Sequence, residues 1–160
     1  MHGRLANRLI ESLRYLGVGV GVFLAVLHQD DPVRTFSALQ FWVVLSVAGL
    51  TGLESLFLGR SASALSGYGE GGAYQRQSGF NNLAVALVAL LARWLDWGLY
   101  AEAANCSVLL VFLVLSSGNH LYSALKEGNR TFRSYSRPVA TALLLAVIVP
   151  VMARALAHAP

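Results

Sequence analysis

Glu54 stands inside an apolar run, Phe36 to Leu58, that is otherwise interrupted only by Gln40. A carboxylate in such a run costs about 2.5 to 3.5 kcal/mol on membrane-insertion scales and persists only where another group answers it. At 1.5 Å of rise per residue, counting back from Arg60 puts Glu54 roughly 9 Å inside one end of its run. His120, six residues before Lys126, comes to the same depth in a later run, with Ser116, Ser117, Asn119 and Ser123 around it. Asn81 and Asn82 enter that layer from the start of the run between them. These positions define one polar cluster in an apolar setting. An imidazole titrates near neutral pH, so Glu54 and His120 form a candidate pair for exchanging charge at a small-molecule, lipid-headgroup or proton site. The plainer alternative is that these groups satisfy one another and fix helix register.

Other chemistries find little support. Gly67, Gly69 and Gly72 have a dinucleotide-type spacing, but no strand precedes them, and they read as a flexible loop. His28 and His120 fall roughly 20 Å apart along the membrane normal by helix rise, too far to ligate one haem iron. The single Cys106 excludes an internal disulfide and a cysteine-based structural metal site. No Ser-His-Asp set, paired catalytic carboxylates or phosphate loop occurs at a credible spacing. No catalytic residue, metal ligand or cofactor is therefore assigned.

The elements that must carry these residues follow from composition. Of the 160 residues 56% are hydrophobic and 12% charged, with mean hydropathy +0.56, and whole segments are apolar all round rather than on one face. That pattern suits lipid and argues against a soluble bundle. The expected fold is all-α, a single polytopic transmembrane domain of five helices at about 10–28, 36–58, 79–97, 103–125 and 138–157. Arg4, Arg8 and Arg14 precede the first apolar core, and no small-x-small cleavage pattern follows it, so it reads as an uncleaved signal anchor. Five crossings place these arginines on one side with Arg60, Arg76, Lys126, Arg130, Arg133 and Arg137. Arg34, Arg93 and Arg154 share the other side with Asp30, Asp31, Asp96 and Glu102. By the positive-inside rule the N-terminus is cytoplasmic and the C-terminus outside, in a multi-pass protein of a cell membrane, the bacterial inner membrane in particular. Trp42, Trp94, Trp97 and Tyr100 then fall near the outer interface, and the glycosylation triplet Asn129-Arg130-Thr131 lies in the cytoplasm. The net charge of +4 is small and dispersed, which argues against a nucleic-acid partner.

Gly17, Gly21 and Ala25 repeat at four-residue spacing in the first run, as Ala48 and Gly52 do in the second. Small residues let helix backbones approach closely, either within one chain or between subunits. Pro138 is expected in the first turn of the last helix, and Pro150 is placed to kink it. The polar stretch Tyr68 to Ser78, which includes Glu70, Tyr74, Gln75, Arg76 and Gln77, reads either as a lid folded back over the polar cluster or as a solvated turn.

Two stretches carry a resemblance. Tyr74-Gln75-Arg76-Gln77-Ser78-Gly79-Phe80-Asn81-Asn82-Leu83 resembles a Phe-Gln-x-Glu-x-Gly-Phe-x-Asn-Leu pattern. His120-Leu121-Tyr122-Ser123-Ala124-Leu125-Lys126-Glu127-Gly128-Asn129 resembles His-x-Tyr-x-x-x-Lys-x-Gly-Asn. Both patterns belong to a family of small prokaryotic integral membrane proteins of unknown function, and the likeness spans about Gly49 to Asn129. The resemblance implies a membrane fold and points to Gln75, Asn82, His120, Tyr122 and Asn129, without an activity. The family's glutamate is Gln77 here, and Glu54 has no counterpart in the pattern.

The candidate ligand-binding residues are thus Glu54, Gln75, Gln77, Asn81, Asn82, Asn119, His120, Tyr122 and Asn129. Three functions are compatible with them. One is a structural or accessory subunit of a larger membrane complex. Another is a small-molecule or lipid binding or transport protein using the Glu54/His120 layer, and the third is a membrane enzyme on a lipid or quinone-like substrate with His120 as acid or base. Membrane lipids are expected partners in each, together with other membrane subunits or further copies of the chain.

Overall fold

The computed structural model describes residues 2–69 and 72–159, with side chains from residue 5 onward; Glu70 of the expected lid lies outside the described residues. Six helices are formed among them: α1 (His2–Leu27), α2 (Pro32–Phe57), α3 (Gly59–Leu65), α4 (Ala73–Trp94), α5 (Leu99–Lys126) and α6 (Phe132–Ala157). There is no strand among the described residues. The helix count is six rather than five because α3 forms directly after α2, in a stretch the hydropathy pattern assigns to a loop.

Among the described residues four helices are long and apolar enough to cross a membrane: Leu5–Leu27, Pro32–Phe57, Leu99–Lys126 and Phe132–Ala157. The helix α4, at 22 residues, is about 33 Å long, yet its first half holds Gln75, Arg76, Gln77, Asn81 and Asn82 and lowers its mean hydropathy. The last helix begins at Phe132, not in a first turn at Pro138. Proline marks a tolerated start but does not forbid an earlier one, and Thr131 takes the N-cap position, its carbonyl accepting from Ser134 N at 3.0 Å. The extra turns put Arg133 and Arg137 four residues apart on one helix.

Antiparallel packing gathers alternate helix ends. Asn7 of α1 donates to Ser61 of α3 at 2.7 Å, Arg14 of α1 meets Glu54 near the end of α2, and Tyr68 meets His120 near the end of α5. At the opposite end Asp31 caps α2 through the amides of Val33 and Arg34, Ser37 donates to the buried Glu102, and Asn105 donates to Val85 O at 3.1 Å.

The central helix is α2, which packs on α1, α4, α5 and α6. Its Phe36, Leu39, Val43, Val44 and Ala48 form the core with Ala86 and Ala89 of α4, Cys106 and Leu109 of α5, and Ile148 of α6. Close approach depends on the small residues. A Cβ on Gly17 would lie 2.4 Å from Ser46 Cβ, and one on Gly21 3.1 Å from Leu39 O, while Ala25 is buried in the core cluster. Gly52 faces α4, where a Cβ would meet Leu83 Cγ at 2.6 Å and Gly79 O at 2.9 Å. Mid-helix, α2 makes a π turn at Leu45–Gly49, where Ser46 Oγ bonds to the Trp42 carbonyl at 2.6 Å. One extra residue in a turn rotates everything after it by about 100° relative to an uninterrupted α-helix, so the turn helps set the face on which Glu54 emerges.

Outward faces are apolar. On α1 they carry Leu9, Leu13, Leu16, Phe23 and Val26, and on α6 Val139 and Val149. Such surfaces are in keeping with a lipid environment and would associate in water.

The Gly52 contact yields a test. Gly52→Ala is expected to destabilise the protein by about 1–3 kcal/mol through overpacking against α4. Gly19→Ala, where a Cβ meets nothing within 4 Å, should leave the thermal midpoint in detergent unchanged or slightly raised.

Candidate functional site

The buried carboxylate of Glu54 is answered by two arginines. Arg14 Nη2 of α1 donates to Glu54 Oε2 at 2.5 Å, and Arg133 Nη2 of α6 lies 3.3 Å from Glu54 Oε1. Arg133 Nη2 is also 3.3 Å from Glu11 Oε2 on α1. The chain Arg14–Glu54–Arg133–Glu11 joins three helices and balances two positive against two negative charges. Glu11 and Arg14 share a face because they are three residues apart on a helix.

Arg137, one turn beyond Arg133, is different. Its Nη1 stands 2.8 Å from His120 Nε2, and no carboxylate lies within salt-bridge distance of it among the described residues. A guanidinium can only donate, so His120 Nε2 offers a lone pair and the imidazole is neutral, with its proton on Nδ1. That proton is donated to the Tyr68 oxygen, 2.9 Å away, and Asn119 Nδ2 donates to the same oxygen at 3.3 Å. The Tyr68 ring lies tilted over the imidazole, with centroids 5.4 Å apart. Burial pushes the Tyr68 phenol above its ordinary value, against the pull of nearby Arg137, so the hydroxyl keeps its proton at neutral pH. Ser123 is a further side-chain hydrogen-bond partner of the same hydroxyl.

A cavity of about 750 Å³ runs past these groups. Arg14, Glu54, His120, Arg137 and Tyr68 line its polar part, together with Ser63, Tyr74, Gln75 and Asn82. Its other part is apolar, walled by Val18 and Val22 of α1, Val43 and Val47 of α2, Phe112 and Leu113 of α5, and Leu144 and Val147 of α6. Both α1 and α6 pack on α2 without an extended contact with each other, so the apolar part is a cleft between them. The volume lies within the roughly 300–1,000 Å³ of small-molecule sites.

The expected site residues separate into three groups. Glu54, Gln75, Asn82, Asn119 and His120 line the one cavity. Glu54 and His120 share that layer but do not form the expected direct pair, because Arg14 and Arg133 occupy the carboxylate while Arg137 and Tyr68 occupy the imidazole. Gln77, Asn81 and Tyr122 are exposed and do not line the cavity. Asn129 acts on the chain itself: its Nδ2 donates to Ser66 O at 2.9 Å and to Ser123 Oγ at 3.3 Å, tying the segment after α3 to the end of α5. Gly67 makes this tie possible, since its φ is +76° and a Cβ would stand 2.1 Å from Asn129 Oδ1.

Arg14, Arg133, Arg137, Glu11 and Tyr68 belong to the polar layer beside the cavity; the sequence reading uses the arginines only as sidedness markers and Tyr68 only as loop polarity, and does not use Glu11. The spacings Glu11/Arg14 and Arg133/Arg137 are the signal that would have found them. Among the described residues no group of three His, Cys, Asp or Glu side chains is placed to hold a metal ion.

Fold and site together define an all-α protein with membrane-length apolar helices around an internal ionic layer. The chain belongs to the family of unknown function DUF6790, which matches residues 10–160. No curated protein and no solved structure matches it.

Charge balance in the ionic layer makes a prediction. Glu54→Gln leaves Arg14 and Arg133 facing only Glu11, and is expected to cost about 3–5 kcal/mol or abolish the monodisperse folded species. Adding Arg14→Gln restores the balance, and the double variant should recover part of the lost thermal stability, as read by melting in detergent.

Proposed function

We propose that the protein crosses the membrane five times, N-terminus inside, and binds an amphiphile drawn from the bilayer into the cleft between α1 and α6. The observation that carries this reading is the single cavity with two characters, apolar along the cleft and charged at its end. A tail would enter sideways between two helices that hardly touch, and a polar head would reach the arginines. Pockets of this kind bind by apolar enclosure, with a few polar groups fixing orientation.

The five-crossing arrangement is supported by which groups share an end. Arg8, Arg14, Arg60, Arg76, Lys126, Arg130, Arg133 and Arg137 belong to the end with the ionic layer. Asp30, Asp31, Asp96 and Glu102 belong to the other, where Arg34, Arg93 and Arg154 are the cations. That asymmetry is the positive-inside pattern. The helix α4 serves as the third crossing on this reading, with Gln75 and Asn82 turned to the cavity instead of lipid and Arg76 and Gln77 at headgroup level.

The binding reading is tested by native mass spectrometry of the full chain from mild detergent. A bound mass of defined amphiphile is expected, and Val22→Trp with Val147→Trp, which fill the cleft from both sides, should remove it without lowering the thermal midpoint by more than a few degrees. A ligand-free chain, or one whose bound mass survives the cleft-filling pair, contradicts the reading. Fixed co-purification of another protein in place of the amphiphile would favour an accessory subunit.

A further inference from the structure

We propose that the head held at the end of the cleft is a singly charged phosphodiester carrying hydroxyl groups, recognised by Arg137 and Tyr68. The assignment rests on the amphiphile reading above and adds the head-group class.

The charge arithmetic comes first. Arg14, Arg133, Glu54 and Glu11 cancel among themselves through contacts of 2.5 to 3.3 Å. Arg137 is left over, with a neutral imidazole as its hydrogen-bond partner. Glu54 and Glu11 act on it only from beyond salt-bridge distance, so beside an apolar cleft this cation is incompletely compensated, and an anion of unit charge relieves it. Hydrogen bonding agrees with the charge. The remaining N–H groups of Arg137 are donors, and the Tyr68 hydroxyl beside them can turn its proton from Ser123 to an incoming acceptor, so an acceptor-rich group meets several donors here. His120 holds both donors in place, accepting from Arg137 on one nitrogen and donating to Tyr68 from the other.

Size and polarity separate a phosphodiester from a bare carboxylate. Ser63, Tyr74, Gln75 and Ser116 also line the cavity, and none forms a side-chain hydrogen bond within the described fold. A fatty-acid carboxylate would satisfy Arg137 and leave that polar chamber unused. A phosphodiester followed by a polyol would place its charge at Arg137 and its hydroxyls among these groups.

The probes are phosphatidylglycerol, phosphatidylcholine with the same acyl chains, oleate and glycerol phosphate, titrated onto delipidated full-length protein and followed by native mass spectrometry. At least a tenfold preference for phosphatidylglycerol over phosphatidylcholine is expected. Arg137→Gln should reduce that ratio about tenfold or more, and Tyr68→Phe, which keeps the ring over His120, several-fold. Arg130→Gln, an exposed arginine outside the cavity, should leave the ratio unchanged. Equal binding of the two phospholipids, or a ratio indifferent to both Arg137→Gln and Tyr68→Phe, overturns the head-group assignment while leaving the cleft reading intact. Oleate binding as tightly as phosphatidylglycerol overturns the phosphodiester, and glycerol phosphate binding as tightly overturns the need for a tail. Binding of none of the probes overturns the cleft reading as well.

Discussion

A buried carboxylate near the end of the central helix has to be neutralised, and the way Glu54 is neutralised governs the rest of the molecule. Its two oxygens face different helices, Arg14 on α1 and Arg133 on α6. Because both arginines reach the same group from opposite sides, α1 and α6 are held against α2 at one end without packing on each other along their length. A bridge of ions at the base and a gap above it are two consequences of one interaction. Hydrophobic complementarity alone would have closed that gap, since both helices present apolar side chains to it.

The same constraint divides the charged residues into those that build the bundle and the one that does not. Buried ion pairs specify arrangement more than they stabilise it, because desolvation offsets most of the attraction. The four balanced charges fit that role: they fix the register of three helices and need nothing further. Arg137 stands one turn beyond Arg133, bonded to His120, whose other nitrogen meets Tyr68. The loop after α3 completes this corner, held down by Asn129 through the Ser66 carbonyl and by Tyr68 on the imidazole.

Depth along the membrane normal was readable from the sequence, and direction around each helix was not. A rise of 1.5 Å per residue from a charged boundary is enough to bring Glu54 and His120 to one layer, and both line one cavity. Which neighbour each side chain meets depends on azimuth, and the π turn at Leu45–Gly49 shifts that by about a residue's rotation before Glu54 is reached. The small-residue stripes were legible because close backbone approach leaves only glycine, alanine or serine at the contact, as Gly17 against Ser46 illustrates. The arginines were legible as a charge asymmetry but not as site residues, since a count of sidedness is blind to whether a guanidinium points to water or inward. The early start of α6 escaped for a related reason: Pro138 suggests a boundary locally, whereas the pairing of Arg133 with Glu54 across the bundle holds the preceding turn helical.

The most direct measurement is a high-resolution structure of the full chain in lipid nanodiscs. The account predicts α1 and α6 separated above the Arg14–Glu54–Arg133 bridge, with elongated density filling the space between them and ending at Arg137. A bundle in which α1 closes onto α6, or in which Glu54 has lost both arginines and the cleft is absent, would contradict it.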